Sequence, residues 1–262
     1  MIYNALSIAG SDPSGGAGIQ ADLKVFSAHN IYGMATITAL TAQNTTGVSS
    51  IHTLSADFVA EQIRMVFADI RVDAVKIGMI ANADIAEAVS NTLNEVMATN
   101  IVLDPVMIAK GGAPLLAEEA VGCMRDMLLP LADILTPNLP EAAALLGEAE
   151  AENREDMLRQ AKALQRLGAR NIYIKGGHFT SNESPDLMLT HQTEHWLEST
   201  RIDTKNTHGT GCSLSASIAA NRAAGASEID AAQAAKSYIT NAIAAADRLQ
   251  VGHGYGPVYH FL

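Results

Sequence analysis

The chain of 262 residues carries only two cysteines, Cys123 and Cys212. Two thiols cannot make a disulfide framework, so a packed core has to hold the fold. Cations are also scarce: 17 lysines and arginines face 28 aspartates and glutamates, a formal charge of −11, with no basic run. A nucleic-acid binder draws its affinity from phosphate neutralisation, and that class is excluded. A nucleotide cofactor, which needs only a few local donors, is not. No apolar run approaches the roughly 18 residues of a membrane span, and the opening MIYNALSIAGSD lacks the basic start of a secretory signal. The expectation is a soluble cytoplasmic protein with no nucleic-acid or membrane partner. What the chain does have is apolar material, 48% of its residues, ample for a buried core.

Short β-like runs alternate with helix-length segments almost throughout. ALSIAG, ATITAL, AVKIGMI, IVLDPV and DILTPN each precede a helical pattern, the fourth of these being PLLAEEAVGCMRDMLL, in which Cys123 reads as a small core hydrophobe, whereas NIYIKGG leads to further β-like sequence. After a β-like patch around PDLMLTHQTEHWLEST, two helix-length segments close the chain. Continuous apolar strands separated by helices predict a mostly parallel sheet covered on both faces, and no low-complexity linker divides it, so residues 1–262 read as one domain. In such folds ligands sit outside the carboxyl ends of the strands, and those positions carry the chemistry.

The first such loop is GSDPSGGAGIQAD, residues 10–22. As a P-loop it keeps Gly10 and Gly15 but has Gly16 and Ala17 where the phosphate-binding lysine and the metal-ordering hydroxyl belong. As a dinucleotide fingerprint it begins too far past the strand, and no acidic residue follows in TITALTAQN. What survives is a glycine loop with an Asp12–Pro13 turn, open to close approach by a ligand. NTHGTGCSLSASIAA, residues 206–220, is a second glycine loop, leading directly into a helix of small residues. Amides at a helix start form an anion site, and Cys212 in the first turn is expected to have its thiol pKa lowered by the helix dipole. Asp104 ends a buried strand, where an unpaired carboxylate is costly. Lys175 ends another beside two glycines, within reach of a phosphate. Asn138 and Glu141 in TPNLPE read equally as a helix cap and its partner. His191 and His195 are four apart, but THQTEHW reads as strand and turn, which removes the shared helical face a metal pair needs.

Taken together, AGSDPSGGAGIQADLK, TALTAQNT, KIGMI, VLDPVM, TPNLPEAAALL, KGGH, DTKNTHGTGC and the terminal GPVYHF, in this order, resemble the hydroxymethylpyrimidine/phosphomethylpyrimidine kinases of thiamin biosynthesis, in the ribokinase-like superfamily. The resemblance covers essentially the whole chain. It implies a three-layer αβα domain that moves the γ-phosphoryl of ATP, with Mg2+, onto the hydroxymethyl group of a pyrimidine and then onto the resulting monophosphate. It assigns Gln43, Met79, Asp12, Gly10, Ala17 and Val106 to the pyrimidine side. Asp104, Asn138, Lys175 and Thr210 fall on the nucleotide side, with Asp104 and Glu141 near the metal. Gly209, Gly211 and Cys212 fall at the anion hole and catalytic base, where the wider superfamily usually has aspartate in place of the cysteine. Folds of this kind often pair through apolar strand edges, and a homodimer is expected. A pyridoxal kinase is the nearest alternative. A non-catalytic pyrimidine-binding module and a nicotinamide-dependent oxidoreductase come from other classes; the misplaced fingerprint weighs against the last.

Overall fold

A computed structural model describes residues 1–108, 112, 115, 118–177 and 184–262. Strand β1 (Asn4–Ser11) enters the core at once: Leu6 and Ile8 point to one face and Ala5 to the other, as the two-residue strand period requires. Helix α1 (Gly18–Ala28) leads back to β2 (Tyr32–Asn44), which pairs parallel with β1. Then come β3 (Gly47–Thr53), α2 (Ala56–Asp69), β4 (Ala74–Ile77), α3 (Ala83–Glu95), β5 (Ile101–Leu103) and α4 (Glu118–Cys123). The second half holds β6 (Ile134–Leu135), α5 (Leu139–Leu146), α6 (Arg154–Arg166), β7 (Asn171–Ile174), β8 (Asp186–Leu189), β9 (Glu194–Leu197), α7 (Thr210–Ala223) and α8 (Glu228–Ala244).

The described strands form one nine-stranded sheet in the order β3-β2-β1-β4-β5-β6-β7-β8-β9. From β2 to β7 every neighbour is parallel, while the edge pairings β2–β3, β7–β8 and β8–β9 are antiparallel. One face is covered by α2 to α6 through Ile63, Val89, Leu145 and Leu164, the other by α1, α7 and α8 through Phe26, Leu214 and Ile239. The three-layer αβα arrangement expected from the sequence is the one observed.

Two local differences have physical reasons. ATITAL does not lead directly to a helix: β2 continues into the hairpin strand β3, whose side chains are almost all exposed and so carry no apolar alternation. The helical pattern PLLAEEAVGCMRDMLL is described only from residue 118, residues 114, 116 and 117 lying outside the described set. It widens to a π-turn over Met124–Leu128, which buries Met124 and Leu128 on the sheet, and Cys123 packs half-buried against that core.

Strand order reverses direction of build between β1 and β4, which puts the crevice at their carboxyl ends. The helices around it are treated unequally. Helices α2, α3, α5, α6 and α8 each begin with a Ser or Asn side chain that accepts an amide of the first turn. Helices α1 and α7 begin at Ala17 and Gly209, with no side-chain cap, and both starts lie at the crevice. The lining of α7 by Ser213, Ser215, Ser217, Ala216 and Ala219, all buried, lets its axis approach β1, β4 and β5 closely.

Candidate active site

The opening loop owes its shape to Asp12. Its carboxylate accepts from the amides of Ser14 (2.9 Å), Gly16 (3.2 Å) and Ala17 (2.9 Å) and from the Ser14 hydroxyl (2.7 Å). It also lies 2.8 Å from Nε2 of His208. Burial alone would raise this carboxyl; the bonds from His208 and Ser14 outweigh it and hold the group down at about 2. Asp12 is 2% exposed, so its carboxylate is an internal organiser of residues 12–17. Gly10 lies against Met79: a Cβ there would come within 2.8 Å of the Met79 sulfur. The carbonyl of Met79 is in turn held by the Thr38 hydroxyl at 2.6 Å. Gln43 stands near the end of β2, half-buried, with Oε1 accepting from Thr41 at 3.2 Å and Nε2 3.5 Å from His208 Nε2. Val106 turns its amide back onto the Asp104 carbonyl at 2.8 Å and leaves its side chain half-buried.

The second glycine loop packs directly on the first. Gly209 has φ +76°, and a Cβ at that position would overlap the carbonyl oxygen of Gly16. The start of α7 therefore sits against the opening loop only because residue 209 has no side chain. Behind this contact the C-terminal segment acts as a strap, with His208 N donating to Gly256 O (3.0 Å) and Val258 N to His208 O (3.3 Å). The Thr210 hydroxyl bonds back to the Thr207 carbonyl at 2.7 Å, closing the turn into the helix. The amide of Gly18, the first residue of α1, favours the thiolate of Cys212. Two uncapped helix N-termini thus meet at one thiol.

The dipole expectation for that thiol needs correction. Burial pushes Cys212 up to about 11, outweighing the lowering by Lys76 and by the Gly18 amide, while Asp22 and Asp104 push it further upward. Cys212 is a protonated thiol at neutral pH.

On the far side of α7 lies a cluster of charges. Asp104, 1% exposed, is not the unpaired carboxylate its strand-end position threatened: Lys175 Nζ donates to it at 2.8 Å and the Ser215 hydroxyl at 3.2 Å. Glu141 approaches the same ammonium at 3.5 Å. Burial would lower the Lys175 ammonium, but the two carboxylates overcome it and raise it. Asn138 and Glu141 form a full capping box, each side chain accepting the other's amide at 2.8 Å. The cap reading of TPNLPE holds, and the same cap aims Glu141 at Lys175. Gly211 borders this cluster: a Cβ on it would lie 3.3 Å from Lys175 Nζ and 3.8 Å from Asp104 Oδ2.

Burial pushes the Glu141 carboxyl up to about 7, with Asp104 acting in the same direction and Lys175 opposing. A folded value above the unfolded one means that this group's contribution to stability is full below about pH 4.5 and is lost as pH rises to about 7. Glu141→Gln, which keeps the acceptor for Asn138, is expected to gain stability relative to the parent across that window. Urea melts at its two ends check this, and a constant difference would contradict it.

The structure brings together all the residues marked in the sequence except His191 and His195; His195 turns to Thr193 at 2.8 Å on the sheet edge. Among the described residues no group of three or more His, Cys, Asp or Glu side chains is arranged to hold a metal by itself. Sequence reasoning missed His208, which organises the opening loop, and the fully buried pair Lys76–Asp22. Their signals were a histidine directly before G-T-G and a lone cation inside the apolar run AVKIGMI.

Comparison with known proteins shows the family of the chain. Residues 12–259 match the family model described as phosphomethylpyrimidine kinase. A hydroxymethylpyrimidine/phosphomethylpyrimidine kinase of Escherichia coli is 53% identical, covering 98% of this chain and 97% of its own. Among solved structures, an ADP complex of Bacillus subtilis pyridoxal kinase superimposes with a TM-score of 0.91 at 38% identity, over 99% of this chain and 98% of the other. A phosphomethylpyrimidine kinase of Clostridium difficile gives 0.82 at 40% identity, over 92% and 99%.

Proposed function

The chain belongs to the phosphomethylpyrimidine kinase family, and from that premise we propose that it phosphorylates 4-amino-5-hydroxymethyl-2-methylpyrimidine with ATP, and then the monophosphate, for thiamin biosynthesis. The observation that carries this reading is the meeting of α1 and α7 at Cys212. Gly18 of α1 lies against Gly10, which lies against Met79, while Asp104 of the Lys175–Asp104–Glu141 cluster acts on the same thiol.

The aminopyrimidine presents ring nitrogens and an exocyclic amine, and the Gln43 amide offers both a donor and an acceptor. Met79 gives an apolar, polarisable face for the ring, with Val106 as a further wall. Gly10 and Ala17 let backbone come close to the hydroxymethyl arm, and Asp12 keeps the loop in that form. The phosphates belong on the other side, where Lys175 supplies charge and the free amides of Gly211 and Cys212, with Thr210 and Gly209 shaping the turn, face a developing negative charge. Asp104 and Glu141 are hard oxygen donors, suited to a Mg2+ that takes its remaining ligands from phosphate and water. Asn138 fixes the approach of Glu141. The metal, when bound with ATP, would neutralise phosphate charge; the chain's own residues orient the two reactants. A loose phosphoryl transfer depends mainly on this positioning.

Cys212, protonated at neutral pH, can act as base only in its thiolate fraction, so kcat is expected to climb toward alkaline pH. Cys212→Ala is expected to lower kcat at least roughly tenfold and to remove that climb; an unchanged kcat would sink the base role.

The reading is tested by ADP release from Mg-ATP. It should depend on added hydroxymethylpyrimidine, and release without the alcohol, or none at all, would favour a binding module. The 0.91 superposition on a pyridoxal kinase supports a second activity on pyridoxal, and kcat/KM for the two alcohols ranks them. Leu40 and Ile51, exposed on β2 and β3, offer an apolar edge to the homodimer we propose.

A further inference from the structure

Asp186 opens strand β8 and is 5% exposed. Its two carboxylate oxygens have different partners. Oδ1 accepts the amide of Gly176 at 2.8 Å. Oδ2 accepts the Tyr173 hydroxyl and the ammonium of Lys236, each at 2.8 Å. Lys236 comes from α8, is 9% exposed, and also donates to the Ser184 carbonyl at 2.9 Å. Ser184 is fixed in turn by Ser199: its amide donates to the Ser199 carbonyl at 2.9 Å, and the Ser199 hydroxyl donates to its carbonyl at 3.1 Å. Apolar side chains of similar volume commonly serve a core as well as such an ion pair, so stability does not account for it.

Its place in the fold does. Gly176 directly follows Lys175, and strand β7 has already ended at Ile174. The amide of Lys175 donates to the Pro137 carbonyl at 2.9 Å, which holds it from the β6 side. One residue later Asp186 holds the Gly176 amide from the β8 side, at a glycine whose backbone would otherwise be the freest in the turn. The peptide that carries Lys175 is thus gripped from both neighbouring strands. Its Nζ reaches Asp104 at 2.8 Å and Glu141 at 3.5 Å from that fixed base.

We propose that Asp186, anchored by Lys236, is a positioning residue for phosphoryl transfer: it fixes the Lys175–Gly176 peptide and so aims the Lys175 ammonium at the nucleotide phosphates. The proposal rests on the reading of Lys175 as the phosphate-binding cation.

The test is a double-mutant cycle against Lys175→Met, read as the Kd for AMP-PCP with Mg2+ by calorimetry and as kcat. Two paired variants remove both charges and leave no unpaired buried ion. Asp186→Asn with Lys236→Met keeps a side-chain carbonyl for the Gly176 amide, and Kd and kcat are expected within threefold of the parent. Asp186→Leu with Lys236→Met keeps no acceptor; Kd is expected to rise and kcat to fall about tenfold, with the pyrimidine KM unchanged. In the Lys175→Met background there is no ammonium left to aim, so the leucine pair should change Kd and kcat less than about twofold. That pattern supports the proposal. Equal losses in the two pairs, no loss in the leucine pair, or a tenfold loss that persists without Lys175 overturns it. The leucine pair also strands the Tyr173 hydroxyl and the Ser184 carbonyl. If it does not fold, the asparagine pair goes through the same cycle, and any loss that persists in Lys175→Met overturns the proposal. A parent that binds AMP-PCP but releases no ADP with the alcohol fails the kinase reading and leaves the binding cycle readable.

Discussion

Replacing Lys175 by methionine is expected to lower kcat at least about a hundredfold, the loss seen when one well-aimed donor is removed from a transition-state charge. The same change leaves Asp104, 1% exposed, with only the Ser215 and Thr136 hydroxyls as side-chain donors. Removing one member of a buried ion pair costs roughly 3–5 kcal/mol, so stability should fall as well. Glu141 responds too. Lys175 is the charge that opposes the upward push of burial and Asp104 on its carboxyl; without the ammonium, Glu141 is protonated at neutral pH. The variant should therefore need more Mg2+ to reach its own maximal rate, because one of the two proposed oxygen donors has become neutral. A Mg2+ titration of kcat, read beside a urea melt, separates the catalytic loss from the structural one. A variant within threefold of the parent in kcat would show that Lys175 serves only as a counter-ion for the two carboxylates.

Gly209→Ala is the second change with a large expected effect. An alanine at φ +76° costs about 1–2 kcal/mol in backbone conformation alone. The greater cost is steric, because the added carbon would overlap the Gly16 carbonyl, a backbone atom with no rotamer to escape into. Relief requires the start of α7 to lift from the opening loop. That movement separates Cys212 from the Gly18 amide and His208 from Asp12 together. The loss of stability is expected to exceed about 3 kcal/mol, at the upper end for a single substitution, and kcat should drop at least about a hundredfold even in the protein that remains folded. Chemical denaturation together with turnover per folded molecule checks both parts. A stable variant with normal turnover would mean that the two glycine loops need not touch during the reaction.

The central sheet was legible because IVLDPV and AVKIGMI are dominated by apolar residues, as strands buried on both faces are. The hairpin strand β3 was not, since GVSSIHT is exposed on both sides and alternates nothing. The strand-end rule found Asp104, Lys175 and both glycine loops, because a charge or glycine next to a buried strand is conspicuous in one dimension. It did not find what those groups touch. That Asp104 is held by Lys175 is a fact of sheet order, β5-β6-β7, which brings together residues 71 apart. The helix-dipole argument for Cys212 predicted the wrong direction because a local rule carries no information on burial. His208 and Asp12 lie 196 residues apart, and only the fold pairs them. Lys76 was hidden inside a run read for its apolar letters. Its partner Asp22 looked like an ordinary polar residue of an amphipathic helix.

In the proposed function the alcohol binds by Gln43 and Met79 and the phosphates by Lys175. A crystal structure with 4-amino-5-hydroxymethyl-2-methylpyrimidine bound tests that assignment most directly. The predicted result is a ring between Met79 and Val106, its amine and ring nitrogen bonded to the Gln43 amide and its hydroxyl facing Cys212. A ring seated instead beside Lys175 and Glu141, or outside the crevice between Pro13 and Ser49, would contradict it.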